Sequence, residues 1–167
     1  MSDRHEGMGN RTFRLEGARF VRGEGRYTDD LADATALHGL FVRSEIAHGL
    51  IRDVSLDDAR AVPGVVAVLA GRDAADDGLG TLTTTVPITN RDGSRMVEAM
   101  RPILPLTHVH HVGQPLALVI AESMAAARDA ADLVDFDIED LGAVTIAGTE
   151  SPTLHDAAPD NMVFDWG

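Results

Sequence analysis

Three histidines, His108, His110 and His111, fall within four positions and form the chain's only histidine cluster. On a strand, alternation places His108 and His110 on one face and His111 on the other. Two neighbouring imidazoles can ligate a transition metal, but a closed site needs a third ligand from elsewhere. The plainer reading makes all three strand residues ahead of a turn at Gly113. His38, after Leu37, and His48, after Ala47, stand alone and read as packing or hydrogen-bonding side chains rather than bases. Asp29-Asp30, Asp57-Asp58 and Asp76-Asp77 invite a glycosidase reading, in which paired carboxyl groups flank a scissile bond. Adjacent carboxylates are also ordinary in turns and at helix starts, and that is the expectation for these. Gly23-x-Gly25 lacks the third glycine and the strand–helix setting of a dinucleotide loop. It reads as a glycine-permitted turn before an aromatic anchor, Tyr27.

Composition excludes much other chemistry. The chain has no cysteine, so it supplies no thiolate nucleophile, disulfide or cysteine-ligated zinc or Fe–S site. All 14 basic residues are arginines, which removes Schiff-base and P-loop lysines. No G-x-S-x-G elbow, H-E-x-x-H pair or Walker motif occurs. A net charge of −13 disfavours a nucleic-acid or anionic-membrane surface. No apolar stretch approaches the roughly 20 residues of a membrane span. The opening MSDRHEGMGNR has no apolar core of a secretory signal, so a cytoplasmic location is expected. At 167 residues and 44% hydrophobic content, one globular domain is the natural expectation.

The elements that would carry these residues are legible in hydrophobic pattern. Leu116 to Ala121 is an unbroken apolar run after the Gly113–Pro115 turn, the mark of a strand buried on both faces. Gly113 stands where a turn calls for positive φ. Ser123 is a good N-cap for a helix over about 124–134, with Ala127, Ala131 and Val134 on one face and an Arg128/Asp132 pair on the other. Val134 to Glu139 alternates strictly and predicts a half-buried strand. Upstream, 37–44 and 47–54 read as strands. Ser55 would cap a short helix with Asp57 and Asp58 in its first turn, stopped by Pro63-Gly64. Val65 to Leu69 reads as a buried strand closed by Gly71-Arg72-Asp73. The chain then divides into a flexible tail over 1–13, a domain over 14–146 with an irregular insertion at 74–107, and an extended exit segment over 147–167.

Several of these stretches together resemble one family. VGQPLALVIAES followed by AAARDAADLVDFDIEDLGAV is similar to the large, molybdenum-binding subunits of molybdenum hydroxylases: xanthine dehydrogenases, aldehyde oxidases and aerobic carbon monoxide dehydrogenases. Gly142 stands where that pattern has proline. Arg14, Glu16, Gly23, Gly25, Tyr27, Asp29 and Asp30 fall in register with the family's opening. LHGLFVRSEIAH and DDARAVPGVVAVLAGRD follow its next two segments. The resemblance covers roughly residues 14–166. It implies the amino-terminal α/β-hammerhead domain, an α+β fold with a mixed β-sheet, two main helices and a crossed hairpin. In such enzymes a molybdopterin cofactor hydroxylates an aldehyde or N-heterocycle with oxygen from water, or oxidises CO. Electrons pass through two [2Fe–2S] clusters to FAD in partner subunits or domains.

The resemblance places the catalytic glutamate and the pterin-holding loops far downstream, so it assigns no catalytic, cofactor-binding or metal residue to this chain. It gives the strand before Gly113 no metal role. The expected role is structural and assembly-related, with the remaining large-subunit domains and the iron–sulfur and FAD subunits as partners. The expected docking surface is the apolar residues of the irregular segments: Val86, Ile88, Met96, Met100, Ile103, Leu104, Phe164 and Trp166. Left alone, the chain would be mobile there or self-associate. The alternatives are a stand-alone scaffold or binding domain, and a small enzyme using the His108/His110 face.

Overall fold

The computed structural model describes residues 14–166 apart from 32, 34, 100, 147 and 149, so the expected tail over 1–13 lies outside the described residues. The chain divides into two units, Met1–Ala36 and Leu37–Gly167. The first carries helix α1 (Gly17–Phe20) and a 3-10 turn at Thr28–Leu31. Gly23 follows α1 at φ +72°, and beyond it the Tyr27 ring stacks on Phe20 with centroids 5.7 Å apart. The Gly-x-Gly stretch is thus the turn that brings Tyr27 back over the helix. The Tyr27 amide donates to the Asp30 carboxylate, which gives that aspartate a turn-closing role.

The second unit begins with β1 (His38–Arg43), β2 (Gly49–Ser55), α2 (Asp57–Arg60), β3 (Val65–Ala70) and α3 (Gly71–Asp76). It continues with β4 (Thr81–Leu82), β5 (Arg101–Pro102), β6 (His108–Val109), β7 (Pro115–Ala121), α4 (Met124–Ala131) and β8 (Asp135–Asp140). β7, the apolar run, is the centre of an antiparallel sheet ordered β1-β7-β3. Its Ala117, Val119 and Ala121 are wholly buried against Ala59 of α2 and Ala127 and Ala130 of α4. Small side chains on both surfaces let helix and sheet approach closely. The expected burial on both faces is corrected: Leu118 and Ile120 are only half-buried, because α2 and α4 share one core on the other face.

The Ser123 hydroxyl accepts from the Ala126 amide at 3.1 Å and caps α4 as its sequence predicts. The helix ends three residues early. Leu133 and Val134 bond back three residues, to Ala130 and Ala131, and tighten the last turn. No ion pair joins Arg128 to Asp132 among the described residues.

Strands β7 and β8 flank α4 but enter different sheets. β8 pairs with β2 in a second antiparallel sheet ordered β6-β2-β8, so two three-stranded antiparallel sheets stand where the resemblance implies a mixed sheet. Phe136 and Ile138 of β8 are half-buried while Asp135, Asp137 and Glu139 face solvent, as alternation requires. Gly49 is demanded by closeness: a Cβ there would lie 2.5 Å from Ile138 Cγ2. Two helix boundaries also differ from expectation. Ser55 ends β2, and Leu56, with no side-chain acceptor, is the N-cap of α2. Gly71-Arg72-Asp73 does not close a strand but opens α3, where the Asp73 carboxylate accepts from the Ala70 amide at 2.8 Å.

Beyond α3 the chain is irregular apart from the two-residue β4–β5 ladder and a Thr89–Arg95 bridge. This segment is tied to the carboxy-terminal one: Val97 donates to Val163 O at 2.8 Å, Arg91 to Asp165 O at 3.0 Å, and their side chains pair at 3.4 Å. The apolar residues of these segments divide. Leu104 is buried, whereas Val86, Ile103, Phe164 and Trp166 are exposed, and Met100 lies outside the described residues.

A histidine-lined candidate site

A cavity of about 650 Å³ opens beside the second sheet. His48 enters it from the residue before β2, His108 and His110 from β6 and its end, and His155 from the carboxy-terminal segment. Leu106, Leu141 and Leu154 contribute apolar wall, and Asp156 is its one carboxylate. His48 and His108 stack on His110, and His155 tilts against it. His110 lies with its ring centroid 4.2 Å from His155 and 6.0 Å from both His48 and His108. Strand alternation accounts for His108 and His110, since Val109 between them points into the core and is fully buried. The antiparallel β6–β2 register, with Gly49 opposite Val109, brings His48 alongside.

The environment of the cluster disfavours charge on His110 and His155. Burial, then the neighbouring imidazoles led by His155, pushes His110 down to about 4. Burial, then His48, lowers His155, with Asp156 opposing. His48 is buried, and its Nδ1 and that of His110 have no hydrogen-bond partner. No group of three or more His, Asp or Glu among the described residues has an arrangement that could hold a metal.

The other candidates separate from this site. His111 is exposed beyond the strand, its Nδ1 beside the carbonyl oxygen of Val112 at 3.1 Å. Gly113 follows at φ +81° with open space where a Cβ would be, so the turn selects glycine by conformation. Its amide donates to Ser44 O at 2.7 Å, its carbonyl accepts from Arg43 at 2.8 Å, and the Gln114 side chain accepts from the His110 amide at 2.7 Å. This turn fixes where His110 stands. His38 is exposed at the start of β1. Asp57 and Asp58 occupy the first turn of α2, and Asp76 and Asp77 the end of α3. Sequence reasoning missed His155: a lone histidine in an irregular segment carries no local signal, and only the fold brings it to His110.

Residues 22–142 match the family model described as the aldehyde oxidase and xanthine dehydrogenase a/b hammerhead domain, and the chain belongs to that family. It is 36% identical to the nicotine 6-hydroxylase large subunit of Paenarthrobacter nicotinovorans over 161 residues, covering 93% of this chain and 19% of that one. Identity to the xanthine dehydrogenase molybdenum-binding subunit of Escherichia coli O157:H7 is 34% over 146 residues, covering 87% and 19%. The solved Cu,Mo-CO dehydrogenase superposes with a TM-score of 0.73 at 31% identity, covering 96% of this chain and 19% of that one. Quinoline 2-oxidoreductase from Pseudomonas putida 86 gives 0.67 at 36%, covering 83% and 17%. The chain therefore spans about a fifth of the length of these relatives. It is a domain of the molybdenum-hydroxylase large-subunit type. No helix among the described residues is long and apolar enough to cross a membrane.

Proposed function

We propose that this chain is the amino-terminal structural and assembly domain of a molybdopterin-dependent hydroxylase. The complete enzyme would hydroxylate an aldehyde, an N-heterocycle or a similar substrate with oxygen from water. Catalytic domains of the large subunit, with iron–sulfur and FAD subunits, would be its partners in the cytoplasm. The observation that carries this reading is coverage: 96% of the chain superposes on 19% of the Cu,Mo-CO dehydrogenase chain.

The domain's own residues support an assembly role over a catalytic one. A pterin phosphate needs cationic or amide donors, and the histidine cavity offers no arginine, an uncharged His110, aliphatic walls and a carboxylate. Those residues do not fit the cofactor, and no step is routed through it. The exposed Val86, Ile103, Phe164 and Trp166 form a docking surface of the kind that unpartnered apolar side chains mark. The test is co-production of the 167-residue chain with a molybdenum-hydroxylase large subunit whose own hammerhead segment has been removed. Stable one-to-one co-purification with recovery of molybdenum in the complex is expected. Elution of the chain alone, beside a catalytic region that assembles without it, would favour the stand-alone scaffold.

A further inference from the structure

The histidine cavity is independent of the assembly reading. Each neutral imidazole carries one N–H donor and one acceptor nitrogen, and buried ones are ordinarily partnered. Nδ1 of His48 and Nδ1 of His110 are buried with no hydrogen-bond partner among the described residues. Core packing does not account for these two rings, because the space beside them is cavity rather than protein.

The lining selects among ligands. It holds no arginine and one carboxylate, Asp156, which disfavours anions. No three ligating groups among the described residues are arranged to hold a metal, which disfavours a metal ion. What the cavity does present is a stack of rings, inclined 32° between His110 and His155 and 22° between His48 and His110, within aliphatic walls. Stacked rings favour a further flat ring at their open end. The tautomer points the same way. Nδ1 of His48 and of His110 is sealed and unpartnered, and an unpaired lone pair is cheaper to bury than an unpaired N–H. The proton therefore belongs on Nε2 of both rings.

We propose that this cavity binds a small, uncharged heteroaromatic compound, its ring extending the His110–His155 stack and a ring nitrogen or carbonyl oxygen accepting from an imidazole N–H.

The test uses the full chain, with ¹⁵N-detected histidine ring resonances as readout and pyridine-3-carboxamide as probe. Cyclohexanecarboxamide, inorganic phosphate and zinc ion, each alone, are the comparisons. Saturable shifts of His110 and His155 with pyridine-3-carboxamide, and affinity for cyclohexanecarboxamide weaker by about tenfold or more, are expected. His155→Ala should weaken binding by about tenfold, and His155→Phe, which keeps a flat ring, should stay within about threefold of the native chain. Equal binding of the saturated amide, response only to phosphate or zinc, or equal losses in both variants would overturn the proposal. The comparison of the two amides on the native chain stands even where a variant fails to fold.

Discussion

The two sheets of the second unit solve different problems. Around β1-β7-β3, nine buried residues close one core, and six of them are alanines. Among the described residues, the buried side-chain nitrogens without partners lie outside this core, and Ser123 caps its helix. Beside β6-β2-β8 lie four imidazoles, a cavity, and irregular chain held by scattered backbone and side-chain bonds. Small apolar side chains pack to density without leaving unpaired groups. Histidines in the same role leave nitrogens without partners, and burial lowers His110 and His155. The first region is closed by small apolar side chains, and the second leaves two buried imidazole nitrogens unpartnered.

The sharpest way to break this contrast is at the junction between the regions. A Cβ on Gly71 would sit 2.2 Å from Pro105 O, a backbone atom that cannot rotate away. Gly71→Ala should cost about 3 kcal/mol, read as a fall in the urea midpoint without a change in slope. Next is a matched pair. Val119 is fully buried and Val86 is 71% exposed. Val119→Ala should cost about 2 kcal/mol through lost transfer energy and a residual cavity, and Val86→Ala within about 0.5 kcal/mol. Similar losses at both positions would dissolve the distinction between core and docking surface. Smaller still, Ser123→Ala should cost about 1 kcal/mol by leaving the Ala126 amide without its acceptor.

The subtlest effect is on pH dependence. His110 titrates at about 4 in the folded chain against 6.5 for the free side chain. Between those values the unfolded chain binds more protons, so stability falls as pH drops from 6.5 toward 4 and is complete above 6.5. His155 shifts in the same direction. Carboxylates contribute their own slope, so the readout is the difference between native chain and His110→Phe. The variant should melt less steeply across that window. Parallel melting profiles would place His110 outside the buried cluster.

How far each region is legible in the sequence follows from the same contrast. β7, α4 and β8 carry local signals: an apolar run, a Ser cap, strict alternation. Each is found within a few residues of its expected place. The misplacements have local causes. Asp73 recruits the Ala70 amide and starts a helix where glycine reads as a stop. Ser55 stays in the β2–β8 ladder, opposite Asp135, rather than capping. The partition of β7 and β8 into separate sheets is a tertiary choice that α4's pattern cannot express. At the candidate site, alternation places His108 and His110 together, but His48 and His155 reach them only through strand register and the return of the chain. The apolar residues of the irregular segments are equally ambiguous in sequence, since Leu104 and Ile103 are neighbours and only the first is buried.

The central claim is that this domain supports a molybdenum hydroxylase without carrying its catalytic centre. The most direct test is molybdenum content and substrate-dependent dye reduction on the purified 167-residue chain, with an aldehyde and a purine as substrates. The account predicts neither molybdenum nor turnover. Stoichiometric molybdenum in the chain alone, or dye reduction that depends on either substrate, would contradict it.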